Sequence, residues 1–217
     1  MKLCDYPFRK TRDIRTAMAE TLSTYLAQLE FDLPATTEQR RFAAAYATWA
    51  EFEQSAKSEG GRLPVVAVLP DEGKYDDSSL SPRILEETWR SDGTGGFALF
   101  AIAEFDVPFV AVVRARSKAE REAITSVLED SFVEPGEAQD DGPLRYGKLL
   151  TMPAYYERKA RYTLLSQRLL DSTDFAIRHR WLSQFELHAQ AQHVVVRKVA
   201  AMSSRVQVVV DGQVYNR

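Results

Sequence analysis

Glu104 and Asp106 are the residues whose type and spacing come nearest to chemistry in this chain. They stand two positions apart in a run that reads as a strand, so they share one face. With Arg114 and Lys118 downstream they approach a metal-dependent carboxylate hydrolase or nuclease. The acid-x-lysine element such a site needs is missing from Val110–Arg116, and an exposed strand face beside a turn at Val107-Pro108 explains the pair more simply. Asp71, Glu72, Asp76 and Asp77 offer hard oxygen ligands, yet they lack the alternating order, central Gly and terminal Glu of a calcium loop. A solvated acidic loop accounts for them. Gly93-Thr94-Gly95-Gly96 has no Gly-Lys-Ser/Thr after it and runs into a strand, so it reads as a turn and not a phosphate cradle. The three histidines, His179, His188 and His193, have no Cys or acidic partner at ligand spacing. Arg158, Lys159 and Arg161 with Tyr155, Tyr156 and Tyr162 could stack on single-stranded nucleic acid, but charged residues bordering a strand give the same pattern. The single cysteine, Cys4, can form no internal disulfide, and would be a reactive thiol only if Arg9 and Lys10 made its surroundings electropositive. The reading is therefore of a protein without catalytic residues, cofactor or metal.

The elements that would position these residues follow from periodicity. Ile14, Met18, Leu22, Leu26 and Leu29 recur at helical spacing and predict an amphipathic helix over Thr11–Glu30. Pro34 ends it, and a second helical run from Thr36 to about Lys57 places Phe42, Tyr46, Trp49, Phe52 and Ala56 on one side, which predicts an antiparallel helical hairpin. Pro64–Leu69 is a continuous apolar run of the kind a buried strand shows. Residues 70–96 are polar and turn-rich and read as a long loop. Phe97–Phe105 and Phe109–Arg116 read as two adjacent strands. Ser117 and Glu120 then form a capping box, with Ser117 accepting from the Glu120 N–H and the Glu120 carboxylate reaching back to the Ser117 N–H. Ile124, Val127, Leu128 and Phe132 give the capped helix an apolar face.

Residues 134–143 hold prolines, glycines and acids and read as a flexible connection. Leu144–Met152 and Ala160–Leu170 suggest strands, with helix the alternative for the second. Asp171-Ser-Thr-Asp174 supplies N-cap oxygens for a helix over about Thr173–Gln184. The alternation from Phe185 to Gln192 reads as a half-buried strand, or as a continuation of that helix. Asp211-Gly212 between β-rich runs predicts a hairpin of Val206–Val210 with Gln213–Tyr215. The expected fold is a single α+β domain over 1–217. It has an arm at 1–10, a helical hairpin at 11–57, and a mixed or antiparallel sheet packed by helices over 62–217.

With 28 basic residues against 31 acidic ones the net charge is −3, too small for a field that would gather nucleic acid or anionic membrane. Arg9, Lys10, Arg12 and Arg15 stand where a signal peptide would be apolar, and no apolar run approaches the ~20 residues that cross a bilayer. The expectation is a soluble protein with no membrane attachment.

The order of a helix over Arg12–Leu29, the strand at Leu63–Pro70 and the strand-into-helix Val110–Phe132 resembles that of tail terminator and related neck, or head–tail joining, proteins of tailed bacteriophages. Ala191–Val210 is a weaker match, and together these segments cover about half the chain. The resemblance implies a tail-terminator-like fold and a structural virion protein. Such a protein forms a ring, commonly a hexamer, at the head-proximal end of the tail, assembled in the host cytoplasm. Its partners would be further copies of itself, tail-tube proteins and neck or connector proteins. DNA would pass through the lumen without being read in sequence. Other neck or tail components share the same order. The parts offered for such an interface are Val206, Val208, Val210, Asp211 and Gly212 of the closing hairpin, with Asp76 and Asp77 of the acidic segment.

Overall fold

The computed structural model describes residues 10–33, 39–57, 63–76, 82–89, 95–134, 145–170, 181–200, 207–210 and 213–216. Among the described residues the fold is mostly β, with a sheet curled into a half-barrel and three helices. The expected α+β arrangement led by a helical hairpin is thereby overturned.

Helix α1 (Ile14–Gln28) forms where the periodicity places it, with Asp13 as its N-cap. The Asp13 carboxylate accepts from the Thr16 N–H at 3.0 Å and from the Thr16 hydroxyl at 2.7 Å. Ile14, Met18, Leu22 and Leu26 are buried. No second long helix follows. Strands β1 (Glu30–Asp32) and β2 (Gln39–Arg41) pair with each other, β3 (Ala44–Tyr46) lies parallel to a later strand, and helix α2 begins only at Trp49 (Trp49–Lys57). The spacing that looked helical serves two surfaces instead. Phe42 meets Phe31 edge-on across β1 and β2, while Tyr46 and Trp49 pack on Phe52. Tertiary pairing has overridden local periodicity here.

Strand β4 (Val65–Pro70) is buried as its apolar run predicts. The segment read as a long loop then contributes β5 (Lys74–Asp76) and β6 (Arg83–Trp89), both paired to strand β7 (Gly95–Ala115). That strand is 21 residues long and absorbs both runs that were read as neighbours. No turn occurs at Val107-Pro108. The Pro108 carbonyl accepts from the Asp71 N–H at 2.9 Å, in the gap between β4, which ends opposite Phe109, and β5, which begins opposite Asp106. N–H and C=O of one strand residue point the same way, so the missing N–H of Pro108 falls in that same gap and costs the ladder nothing.

Helix α3 (Lys118–Ser131) starts at the Ser117 cap, which accepts from the Glu120 N–H at 3.1 Å. The buried Glu120 carboxylate reaches one residue further back than the box predicts. It takes the Arg116 N–H at 2.6 Å and lies 3.7 Å from Arg40 of β2. After the short pair β8 (Val133–Glu134) and β9 (Arg145–Tyr146) come β10 (Lys148–Met152), β11 (Arg158–Leu170) and β12 (Trp181–Ala200). Trp181–Gln184 thus belongs to a strand and not to the expected helix, whose remaining residues, 173–180, lie outside the described ones. The hairpin is present as β13 (Gln207–Val210) and β14 (Gln213–Asn216), which among the described residues pair only with each other.

The main sheet has the order β10-β11-β12-β7-β4-β3. β12 pairs with β7 along its whole length, so β4, β5 and β6 take the opposite edge of β7 in succession. Helix α1 touches β10 at one end of this order and β4 and β3 at the other, which a sheet allows only by curling round the helix. Tyr162 of β11 fixes the fit by donating to the Met18 carbonyl at 2.9 Å inside the core. Helix α2 covers the other face, where Phe52 packs on Val65 and Ala67.

Candidate functional site

Beyond the part of the sheet that wraps α1, β6, β7 and β12 continue as a three-stranded ribbon. β11 covers β12 only as far as Ala191, paired with Ala160, while β12 runs on to Ala200. From Gln192 onward its outer edge has no strand partner among the described residues. At Val194 one side chain stands in for the absent strand. The Tyr155 hydroxyl accepts from the Val194 N–H at 3.1 Å and lies 3.4 Å from the Val194 carbonyl. It also lies 3.0 Å from Nδ1 of His193. Because the phenol oxygen already accepts from Val194, its proton goes to an acceptor, and the nearer one is the neutral His193 ring.

The turn between β10 and β11 aims Tyr155 at this edge. Tyr156 and Glu157 take φ values of 51° and 53°, a left-handed conformation that L-residues enter at a cost. Arg158 braces the turn. Its Nε donates to the Tyr156 carbonyl at 3.2 Å, and it reaches across the concave face to Glu86 of β6 at 2.9 Å. Lys10 pairs with Tyr155 as an isolated antiparallel bridge and sets its ammonium 5.4 Å from the Tyr155 ring centre. Thr11 and Arg12 both donate backbone N–H groups to the Ala154 carbonyl. Tyr75 of β5 completes the cluster, edge-on to His193 at 5.0 Å and against Phe105 at 4.5 Å.

Titration behaviour follows from this packing. Burial pushes the Tyr155 phenol up to about 12, and raises Tyr162 further. Burial, then the charge of Lys10, holds His193 below its ordinary value. A phenol this hard to ionise makes a poor base or nucleophile, so the cluster acts as a clasp that ties Lys10–Arg12, the β10–β11 turn and the edge of β12 together.

Of the residues singled out for chemistry, Asp76 is brought directly opposite Glu104, two positions from Asp106, and the others are scattered. Glu104 is exposed and Asp106 half-buried on β7, with the Asp106 Oδ1 buried and lacking a hydrogen bond. The strand neighbours of Asp106 are Lys74 and Gln190. Asp71 accepts from the Glu72 N–H, and Asp76 ends β5 in solvent. No group of three metal-binding side chains occurs among the described residues. Tyr155 and Tyr162 are buried and so are no stacking platform for bases. Val208 and Val210 lie on β13, whereas Cys4, Asp77, Gly93, Thr94, His179, Val206, Asp211 and Gly212 lie outside the described residues. A groove of ≈ 350 Å³ between α1 and β10 is lined by Thr21, Thr24, Gln28 and Thr151 with Glu20, whose carboxylate is already held by Arg12 at 2.8 Å. The clasp was not legible in the sequence. Tyr155 and His193 meet only through the folded sheet, and neither stands in a pattern that announces the other.

No protein-family model matches this chain, and a search of the curated proteins finds no match.

Proposed function

We propose that this chain is a structural subunit that assembles into a ring, most consistent with a tail terminator or neighbouring neck component at the head-proximal end of a bacteriophage tail. The observation that carries this reading is the ribbon. β7 and β12 run for 21 and 20 residues, about twice the upper range of ordinary strands, and β12 runs on past the end of β11 with its outer edge unpaired by any strand among the described residues. Such edges are an association device, and a chain that keeps them serves assembly more readily than turnover. Of the order behind the phage resemblance, α1, β4 and the passage from β7 into α3 are present, whereas the long loop holds β5 and β6 and the strand pair is the single strand β7.

The mechanism is association without a chemical step. Backbone pairing along an edge supplies affinity, and charged residues flanking it fix register. Light scattering behind a sizing column, over a wide concentration range and with and without tail-tube protein, tests the reading. A discrete ring, formed alone or on addition of tube protein, is the expected result. A monomer indifferent to both overturns it.

A further inference from the structure

We propose that the clasp is an acid-released latch, in which protonation of His193 detaches the strap Lys10–Arg12 from the β10–β11 turn while the sheet stays folded. This stands apart from the ring reading, since one copy of the chain holds every part of it. The joint is a single hydroxyl. Tyr155 accepts from the Val194 N–H at 3.1 Å, so its own proton is left for the neutral His193 Nδ1 at 3.0 Å. The same tyrosine anchors the strap. It forms the isolated bridge to Lys10, its ring centre lies 5.4 Å from the Lys10 ammonium, and the carbonyl of Ala154 just before it accepts from the N–H groups of Thr11 and Arg12 at 3.0 and 3.2 Å. Whatever displaces Tyr155 therefore loosens the strap.

Protonation acts on that joint in two ways. An imidazolium has no acceptor nitrogen, so the phenol proton loses its place at Nδ1 and must turn to the Val194 carbonyl, a longer contact at 3.4 Å. It also sets a second cation beside Lys10. The groups that face His193 are Tyr155 from the turn, Lys10 from the strap and Tyr75 from β5, edge-on at 5.0 Å, and its partner on β7 is Ala103. None is a carboxylate. Glu104 and its partner Asp76 stand one pair along, on the other face of the sheet. Glu86 is held by Arg158, and Asp13, which acts on Tyr155, has both oxygens engaged by Thr16. Burial, then the charge of Lys10, opposes a proton on His193 while the strap is attached, so a bound proton favours detachment. The strap is accordingly held above the pH at which a free imidazole titrates and is let go as pH falls through the lower value of the attached state. Its loss can stay local. Lys10, Thr11 and Arg12 are exposed, whereas α1 is fixed by the buried Ile14, Met18 and Leu22.

Amide hydrogen exchange on the full chain between about pH 7.5 and 4.5, expressed as protection relative to a free amide at each pH, tests the latch. Protection at Thr11 and Arg12 should fall about tenfold, with a midpoint that follows the His193 ring titration read by NMR, while Phe185 and Leu187 in the core keep theirs. His193→Gln offers an amide oxygen that takes the phenol proton at any pH, so its strap should stay protected throughout. Tyr155→Phe should leave the strap poorly protected at every pH, with no acid step. Protection at Phe185 and Leu187 shows that each variant is folded. Strap protection in the wild type that ignores the His193 titration, or an acid step that survives in either folded variant, would overturn the latch. A monomeric chain with the acid step intact would remove the ring reading and leave this one standing.

Discussion

At the scale of single residues, Tyr155 has more consequence than any carboxylate in the chain. Its hydroxyl satisfies a backbone N–H at the point where β12 loses its neighbour. Tyr155→Phe keeps the ring and removes only that oxygen, leaving the buried Val194 N–H without a partner. The expected loss is about 1–3 kcal/mol of unfolding free energy, read by urea denaturation. An unchanged midpoint would show that water replaces the phenol. The pH dependence has a definite sign. Tyr155 ionises near 12 in the folded chain and near 10 when unfolded, so its contribution is complete below 10 and fades as pH rises through 12. His193 titrates below 6.5, so the unfolded chain takes up a proton first, and stability falls as pH drops from above 6.5 through the depressed folded value. His193→Gln should flatten that acid-side slope in denaturation series run between pH 5 and 8, and an unaltered slope would assign it to other groups. Asp13 answers in a lower window. Burial opposes its charge, but hydrogen bonds from Thr16 and neighbouring backbone N–H groups together outweigh burial and hold its carboxyl below the ordinary value, so its capping contribution is lost as pH falls through that lowered value.

Among the elements, the short passage from β4 to β5 depends on one glycine. A Cβ on Gly73 would lie 2.2 Å from the Phe105 ring, which is itself buried in the core beside Tyr75. Gly73→Ala must displace that ring and is expected to cost about 1–3 kcal/mol in thermal or urea unfolding. A neutral result would mean that the turn shifts outward freely. The same region shows why some elements were legible in the sequence and others were not. α1, β4, α3 and the closing hairpin each carry their signal locally: a stripe of apolar residues, an unbroken buried run, a cap, an Asp-Gly pair. β5 and β6 carry none, because Lys74–Asp76 is only three residues long and Arg83–Trp89 lacks regular alternation, and both are held by pairing with β7. Pro108 misled for a related reason. A proline inside a strand normally breaks it, and only the handover from β4 to β5 makes this one harmless. For Phe42–Phe52 the error was one of period, since residues at helical spacing here serve two different faces of the fold.

For the whole molecule, the sheet curls round α1, and its ribbon runs on past the end of β11 with Leu99, Ala101 and Val194 still in the core. Among the described residues β13 and β14 pair only with each other, with Val208 opposite Tyr215 and Val210 opposite Gln213. A lone two-stranded hairpin is marginal in water, so a further surface must stabilise it. If that surface is a neighbouring copy, Val208→Lys with Val210→Lys should abolish rings in light scattering and leave the monomer's melting unchanged. Intact rings from this variant would restrict assembly to the ribbon edges.

The central place of β7 also sets the order in which the chain can complete itself. During synthesis β4, β5 and β6 emerge before β7 and can zip onto one of its edges at once. The other edge waits for β12, whose first residue, Trp181, closes on Ala115 only after α3, β10 and β11 have been made. Until then the nascent chain holds a 21-residue strand with one side bare. Closure that joins segments so distant in sequence is slow compared with helix formation, placing such a fold in the millisecond-to-second range. The half-finished sheet is thus itself a sticky intermediate, and a cell making many copies side by side must shield that bare side of β7 until β12 arrives.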